Sequence, residues 1–494
     1  MMKLGFKPIP LAIAAVLCAL VLALPVPDGV KPQAWTLLAM FVGVIAAIIG
    51  KVMPLGALSI IAVGLVAVTG VTADKPGAAM SDALSAFANP LIWLIAIAVM
   101  ISRGLLKTGL GMRIGYLFIA VFGRKTLGIG YSLALSELLL APVTPSNTAR
   151  GGGIIHPIMQ SIAGSYGSNP AKGTEGKMGK YLALVNYHSN PISSAMFITA
   201  TAPNPLIVNL IAENLGSSFR LSWGAWAWAM AVPGVIAFFV MPLILYFLYP
   251  PEIKETPNAV QFAKDRLSEM GKMSADEIIM AVIFGILLLL WADVPALITG
   301  NHAFSINATA TAFIGLSLLL LSGVLTWDDV LKEKSAWDTI IWFGALIMMA
   351  AFLNKLGLIK WFSGVLAESV GGLGVSGTAA GVILVLAYMY AHYMFASTTA
   401  HITAMFGAFL AAAVSLNAPA MPTALMMAAA LMMAAASNIM MTLTHYATGT
   451  SPVIFGSGYT TMGEWWKAGF IMSVVNFLIF SVIGSIWWKV LGYW

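Results

Sequence analysis

Two short polar clusters interrupt a sequence that is otherwise strongly apolar. Each is followed, two residues later, by a basic side chain, Arg150 or His401. The clusters are made of Ser146, Asn147, Thr148, Ser397, Thr398 and Thr399. Hydroxyl and amide groups donate hydrogen bonds without adding charge, and the free N–H groups at a helix N-terminus attract anions. The clusters are therefore candidate sites for binding carboxylate groups, the alternative being that they only cap helices.

Both clusters lie in the middle of interrupted apolar stretches, at 126–163 and 374–416. In each stretch an apolar run leads to the polar cluster and a second apolar run follows it. This pattern favours two re-entrant helix–turn–helix hairpins. Irregular backbone survives at membrane depth only where it is buried in protein or lines a wet cavity, so the hairpin tips are expected to line a site.

Two longer apolar stretches, 181–211 and 423–455, contain proline- and threonine-rich interruptions at 201–205 and 448–452. Breaks at two matching positions favour a site lined by discontinuous helices, although a proline alone also kinks helices. The two interruptions begin at Thr201 and Thr448. The predicted supports of the breaks are Pro203, Asn204, Gly449 and Pro452.

The composition places most of the chain in lipid. Of 494 residues, 60% are hydrophobic and 9% are charged, against roughly 25% charged in soluble proteins. We predict an all-α polytopic membrane protein with two re-entrant hairpins and about eleven spans of the length that a bilayer requires. The spans are 9–27, 33–50, 53–72, 90–106, 181–211, 224–249, 276–292, 306–324, 339–354, 423–455 and 466–490.

Charge placement gives the expected orientation. Most of the 25 Lys and Arg residues fall on one side if the N-terminus is cytoplasmic, as the positive-inside rule requires. The start, with Lys3 and Lys7 before an apolar run, also resembles a secretory signal, but an uncleaved first span in the cell inner membrane is the preferred interpretation. The most polar stretch, 251–275, reads as a cytoplasmic linker.

The two halves of the chain, 1–250 and 276–494, resemble each other. SNTAR at 146–150 matches STTAH at 397–401, and ATAPNP at 200–205 corresponds to ATGTSP at 447–452. The predicted spans between equivalent points are odd in number, so the halves are expected to have inverted topology. Inverted repeats with broken helices are typical of transporters, and a channel is the less favoured alternative.

Other chemistries find little support. One cysteine permits neither a disulfide within the chain nor a thiolate cluster. The histidines lack metal-ligand spacing, and the sequence holds no nucleophile–base arrangement, Walker motif or dinucleotide fingerprint. We expect no enzyme activity, no metal, no cofactor and no nucleic-acid partner.

Several segments resemble the divalent anion/sodium symporter family, nearest its bacterial exchanger branch of citrate/succinate, tartrate/succinate and 2-oxoglutarate/malate antiporters. They read LPVPDGVKPQAW, LSELLLAPVTPSNTARGGGIIHPI, FASTTAH and ATGTSPVIFGSG. The resemblance implies a homodimer with scaffold and transport domains and an elevator motion. It also implies carboxylate binding by Ser146, Asn147, Thr148, Ser397 and Thr399. The family's threonines at the two helix breaks map to Thr201 and Thr448, which are therefore expected to join the substrate site. The chain departs from the family pattern at Thr398, usually Asn, and at Gly449, often Pro.

Arg150 and His401 suggest the energetics. In sodium-coupled relatives the equivalent positions are usually small and uncharged, with sodium ions beside the motifs. An intramembrane charge is costly and functional by default. Our hypothesis is that both side chains stand in for sodium and that a buried, unpaired cation hinders return of the empty carrier. The alternatives are an ion pair of Arg150 with Glu137, and a satisfied core histidine at 401.

The combined expectation is Na+-independent antiport of C4–C6 di- or tricarboxylates such as malate, succinate, 2-oxoglutarate and citrate. Its partners would be a substrate, a counter-substrate and the bilayer. A sodium-coupled dicarboxylate symporter on the same fold is the first alternative, and an anion channel is the second.

Overall fold

The structure, a computed structural model, describes residues 5–372, 374, 377–416 and 423–493. Most of these residues are helical, and none of them forms a β-strand. The helices of the first half are α1 Pro8–Ala23, α2 Pro32–Ile49, α3 Leu55–Thr69, α4 Pro76–Leu84, α5 Pro90–Thr108, α6 Leu110–Phe122, α7 Thr126–Leu140, α8 His156–Ser165, α9 Gly179–Met196, α10 Asn204–Leu215 and α11 Trp223–Leu248. The helices after residue 250 are α12 Pro257–Glu269, α13 Ala275–Trp291, α14 Val294–Thr299, α15 Ala308–Leu321, α16 Trp327–Lys332, α17 Lys334–Lys355, α18 Leu358–Gly371, α19 Gly377–Tyr390, α20 Thr398–His401, α21 Gly407–Ser415, α22 Thr423–Ile439, α23 Thr450–Phe455, α24 Met462–Ile479 and α25 Ser485–Val490.

Within the described residues, 7 helical stretches are long and apolar enough to cross a membrane. They are Pro32–Ile49, Pro90–Thr108, Thr126–Val143, Trp223–Leu248, Lys334–Lys355, Thr398–Ser415 and Met462–Val490. Five coincide with predicted spans, and the other two lie in the predicted hairpins. Several of the remaining predicted spans correspond to shorter apolar helices, so the total of eleven stays a prediction.

Two compact units emerge from the packing. The first unit comprises Met1–Ala96, Pro205–Arg220 and Lys334–Met433. Within it α1 packs on α2, α3 packs on α17, and α18 packs on α21. The Trp35 indole lies edge-on to Trp361, with 5.9 Å between ring centroids. Each unit draws on both sequence halves, so the packing boundary differs from the predicted repeat boundary.

The second unit comprises Ile97–Asn204, Leu221–Glu333 and Ala434–Trp494. Its centre is α9, which packs on α7 and α11 and is buried along almost its whole length, polar side chains included. Because a buried polar group needs a hydrogen-bond partner, these side chains must be satisfied by neighbouring elements. The hydrogen bonds that satisfy these side chains build the candidate site.

The predicted linker, 251–275, is ordered rather than extended, since it contains α12. Its start forms backbone hydrogen bonds with the connection between α6 and α7, from Thr256 N to the Arg124 carbonyl at 2.8 Å and from Thr126 N to the Lys254 carbonyl at 2.9 Å. At its other end, Arg113 donates from Nη1 to the Gly271 carbonyl at 3.0 Å. The linker is therefore docked on the second unit at both ends.

The same series of elements occurs twice along the chain. A long helix, α5 or α17, ends at a glycine and a shorter helix follows, then a hairpin and a broken helix. Gly109 and Gly357 occupy the left-handed region at these junctions, with φ of 78° and 90°. A side chain there would be strained, which explains why glycine recurs at both positions. The inverted sense of the repeat stays a prediction.

Candidate functional site

The first polar cluster forms the turn of a helix–turn–helix hairpin, as predicted. The chain runs through α7, a 3₁₀ turn at Ala141–Val143, an irregular tip, a π-helix at Thr148–Ile155 and then α8. Ser146 Oγ accepts a hydrogen bond from Ala149 N at 3.1 Å. Ser146 therefore caps the returning helix, and the wide π-turn is a feature frequently found at functional sites.

The second polar cluster has the same local geometry in the first unit. A 3₁₀ turn at Ala391–Met394 ends the incoming helix, and α20 continues into a π-helix at Ile402–Phe406. Ser397 Oγ accepts from Ala400 N at 3.2 Å, which repeats the cap made by Ser146. Thr398 is buried and Thr399 is partly exposed. Both predicted hairpins are thus present as helix–turn–helix structures with a serine cap at the tip.

In the second unit the first hairpin tip meets the second broken helix. Asn147, buried at 8% exposure, donates from Nδ2 to Thr448 Oγ1 at 2.9 Å. A Cβ built on Gly449 would lie 2.5 Å from Thr148 Oγ1. Three predicted substrate residues, Asn147, Thr148 and Thr448, therefore come together. Because glycine has no side chain, position 449 leaves room for the Thr148 hydroxyl.

The breaks lie earlier than predicted. Irregular or 3₁₀ chain covers 197–203 and 440–449, so Thr201, Pro203, Thr448 and Gly449 lie within them. Asn204 and Pro452 instead belong to the first turns of α10 and α23, and their placement inside the breaks was wrong. The physical reason is that residues in the first turn of a helix need no N–H donor, so Pro205 and Pro452 fit there. These two prolines mark where each helix resumes.

Asn204 nevertheless contacts the break directly. Its Nδ2 donates to the Ser194 carbonyl at 2.7 Å, in the last turn of α9, and to the Phe197 carbonyl at 3.0 Å, just after α9. Asn438 Nδ2 in turn donates to Asn204 Oδ1 at 3.0 Å. The two asparagines thus supply the hydrogen bonds that a helix end otherwise lacks.

Arg150 is completely buried, with 0% exposure. Nε donates to Glu137 Oε1 at 2.6 Å, and Nη1 donates to two backbone carbonyls, those of Thr144 and Ala200. Nη2 donates to the hydroxyls of Ser193 and Ser194 at 3.3 and 3.2 Å. A guanidinium has five N–H groups, and each has an acceptor here.

This geometry corrects the idea of an unpaired buried cation. The structure instead realises the alternative, an ion pair with Glu137, which is also 0% exposed. Every donor of Arg150 is already occupied, so in this arrangement the side chain has no N–H left for a substrate. Its two carbonyl acceptors terminate the 3₁₀ turns at the hairpin and the first helix break. Arg150 therefore links main-chain oxygens of the hairpin and of the first helix break.

His401 is also fully buried, within the first unit. Its Nδ1 lies 2.9 Å from His392 Nδ1, and its ring stacks on Phe395 with 4.5 Å between centroids. Tyr388 covers the ring at 4.6 Å. Nε2 of His401 has no hydrogen-bond partner among the described residues. Two facing Nδ1 atoms require one donor and one acceptor, so the pair holds at most one proton there.

Sequence reasoning did not identify several supports of this site. Ser193 and Ser194 hold Arg150, and the Tyr187 hydroxyl lies 2.6 Å from Ser451 Oγ. The available signal was the helical spacing of polar residues along α9, where Asn186, Asn190, Ser193 and Ser194 recur on one face. Polar residues at that spacing in an apolar span mark a buried polar face.

Comparison with known proteins agrees with this architecture. Residues 7–494 match the family described as "Sodium:sulfate symporter transmembrane region". A protein of Bacillus subtilis (strain 168) named as a candidate malate transporter, YflS, is 48% identical over 99% of this chain and 97% of its own length.

Two further relatives come from a plant and another bacterium. The "Dicarboxylate transporter 1, chloroplastic" of Spinacia oleracea is 44% identical over 95% of this chain and 79% of its own length. The "Inner membrane protein YbhI" of Escherichia coli (strain K12) is 36% identical over 95% of each chain.

Among solved structures, the YdaH transporter of Alcanivorax borkumensis has a TM-score of 0.55 and 14% sequence identity, covering 97% of this chain and 96% of its own. That likeness concerns the fold alone. The family match and the apolar helices identify a multi-pass membrane protein. The chain belongs to the sodium:sulfate symporter family, the divalent anion/sodium symporters that its hairpin motifs resemble.

Proposed function

We propose that this protein is an Na+-independent antiporter that exchanges C4–C6 di- and tricarboxylates, such as malate, succinate, 2-oxoglutarate and citrate. The relatives named as malate and dicarboxylate transporters support the substrate class. The neutral donors at the hairpin tips and breaks suit carboxylates, because they stabilise the anion without holding it too tightly to leave. The remaining features of the proposal are an elevator motion, a homodimer, and an inner-membrane location with a cytoplasmic N-terminus.

The observation that carries sodium independence is the bonding of Arg150. Its guanidinium donates to the carbonyls of Thr144 and Ala200, which lie at the ends of the 3₁₀ turns in the first hairpin and in the first helix break. The guanidinium is covalently part of the hairpin, so it holds these carbonyls throughout the cycle and cannot dissociate, while its charge is balanced by Glu137. The carrier therefore needs no dissolved cation at this place, and His401 is assigned the equivalent role in the second hairpin.

The exchange requirement follows from the donors rather than from an unpaired charge. When the anion leaves, the hydroxyl, amide and tip N–H groups lose their acceptors. Moving unsatisfied polar groups through an apolar interior costs roughly 1–3 kcal/mol each on protein scales. A second carboxylate that refills the donors removes this cost, so the loaded carrier crosses and the empty carrier does not.

Reconstituted transport tests the proposal. The purified protein in succinate-loaded liposomes should take up labelled malate equally well in sodium, potassium or choline buffers, and unloaded liposomes should take up almost none. The family's name favours a second candidate, a sodium-coupled symporter. The symporter would be established instead if malate uptake required external sodium and did not depend on succinate inside the liposomes. A current without internal substrate would indicate a channel.

A further inference from the structure

Glu137 is a buried carboxylate for which the transport cycle has no assigned use. Its Oε1 accepts from Arg150 Nε and Asn190 Nδ2, both at 2.6 Å, and from Ser193 Oγ at 3.2 Å. Its Oε2 is buried and has no hydrogen-bond partner among the described residues. The N–H groups of Arg150 and Asn190 converge on this oxygen, and the single hydrogen of the Ser193 hydroxyl is shared between it and the Asn190 carbonyl at 3.0 Å. This arrangement suits an ionised carboxylate, since a protonated one would need an acceptor for its own hydrogen.

The ion pair makes the buried interior of the first hairpin electrically neutral. A guanidinium beside an ionised carboxylate acts at a distance as a dipole, whose potential falls off faster than that of a single charge. Asn190 links the pair to the tip, since the same Nδ2 also donates to the Asn147 carbonyl at 3.1 Å. Only the Asn190 side chain therefore separates the ion pair from the candidate substrate residue Asn147.

We propose that Glu137 is a specificity-determining positioning residue, which sets the negative charge of the anion that the carrier prefers by cancelling the charge of Arg150. The proposal rests on the proposed function, because it assumes that carboxylates bind at the tip. With Glu137 ionised, a dianion meets neutral donors and helix ends. Without its charge, the hairpin carries one extra positive charge and favours a trianion.

The test compares citrate with succinate in liposomes at pH 8, where both acids are fully ionised, as the ratio of their kcat/KM values. Glu137→Gln should shift the ratio toward citrate by about tenfold, the scale of one added unit charge in partly hydrated protein. Arg150→Gln should shift it in the opposite direction. The double variant, which is neutral again, should return close to the unmodified ratio.

Glu277→Gln is the matched control, since Glu277 forms a buried ion pair with Arg113 at 2.7 Å in the same unit, away from the hairpin tip. It should leave the ratio unchanged. Equal losses for both acids in Glu137→Gln, or shifts of the same sign in both single variants, would show a purely structural role. If Glu137→Gln does not fold, Arg150→Gln and the double variant still show in which direction the citrate-to-succinate ratio shifts.

The two proposals fail in different ways. Absence of carboxylate transport by the unmodified protein overturns the proposed function and the role of Glu137 with it. Sodium-dependent uptake overturns only the antiport, because the citrate-to-succinate ratio is measurable in either mode. An unchanged ratio in a protein that exchanges both acids overturns only the role of Glu137.

Discussion

Gly449 and Thr148 approach so closely that a single methyl group on the glycine would come within 2.5 Å of the threonine hydroxyl. One belongs to the second helix break and the other to the first hairpin tip. The family resemblance implies proline at the position of Gly449, and the extra atoms of a proline would meet the same hydroxyl here. The local backbone of the two elements is therefore matched to glycine in this chain.

Gly449→Ala should weaken carboxylate binding. The new methyl group must displace Thr148 Oγ1 or the backbone of the break, and overpacking of this kind typically costs about 1–3 kcal/mol. We expect KM for succinate to rise about tenfold in counterflow, with a smaller change in kcat. Gly153→Ala in the same hairpin is the control, because a Cβ there meets nothing within 4 Å. Equal KM values for the two variants would contradict the close fit.

Ser146→Ala separates capping from substrate binding. The variant loses a helix cap, which destabilises a protein by about 0.5–2 kcal/mol, and it also loses a candidate donor to the anion. Ser222→Ala removes a comparable cap, since Ser222 Oγ accepts from Ala225 N at 3.1 Å at the start of α11. Both variants should lower the melting temperature by a few degrees, but only Ser146→Ala should raise KM. A normal KM would leave Ser146 as a cap alone.

Local features of the fold could be predicted because they depend on short stretches of sequence. The serine caps, both hairpins and five long spans follow from the polar clusters and the apolar runs around them. The breaks were displaced because proline fits the first turn of a helix as well as it interrupts one. Sequence offered Glu137 as one alternative partner for Arg150. The other acceptors of the five Arg150 N–H groups are Ser193, Ser194 and two backbone carbonyls. Only the packing of α9 brings these acceptors together.

Tyr187→Phe should loosen the second helix break. The hydroxyl contacts the Met441 carbonyl, at the start of that break, and Ser451 Oγ, in the helix that follows it. Loss of a buried hydroxyl that leaves partners unsatisfied costs about 1–3 kcal/mol, so the melting temperature and the transport rate should both fall. Tyr181→Phe is the control, because its hydroxyl makes one longer bond, 3.4 Å to the Pro242 carbonyl. Equal losses in the two variants would contradict a special role for Tyr187.

Asn204 and Asn438 should be energetically coupled. Asn204→Ala leaves the Ser194 and Phe197 carbonyls without their side-chain donor, and Asn438→Ala leaves Asn204 Oδ1 without the donor that reaches it from α22. Each single change should destabilise by about 1–3 kcal/mol. The double variant should lose less than the sum, by about 0.5–3 kcal/mol, as expected for residues in one hydrogen-bond network.

Thermal unfolding of the purified protein measures this cycle, and Asn476 supplies its control. Asn476 is as deeply buried as Asn204, yet neither its Nδ2 nor its Oδ1 has a partner among the described residues. Asn476→Ala therefore removes no hydrogen bond of the break and should combine additively with Asn204→Ala. Additive losses for Asn204 and Asn438 as well would mean that the break is held by other contacts.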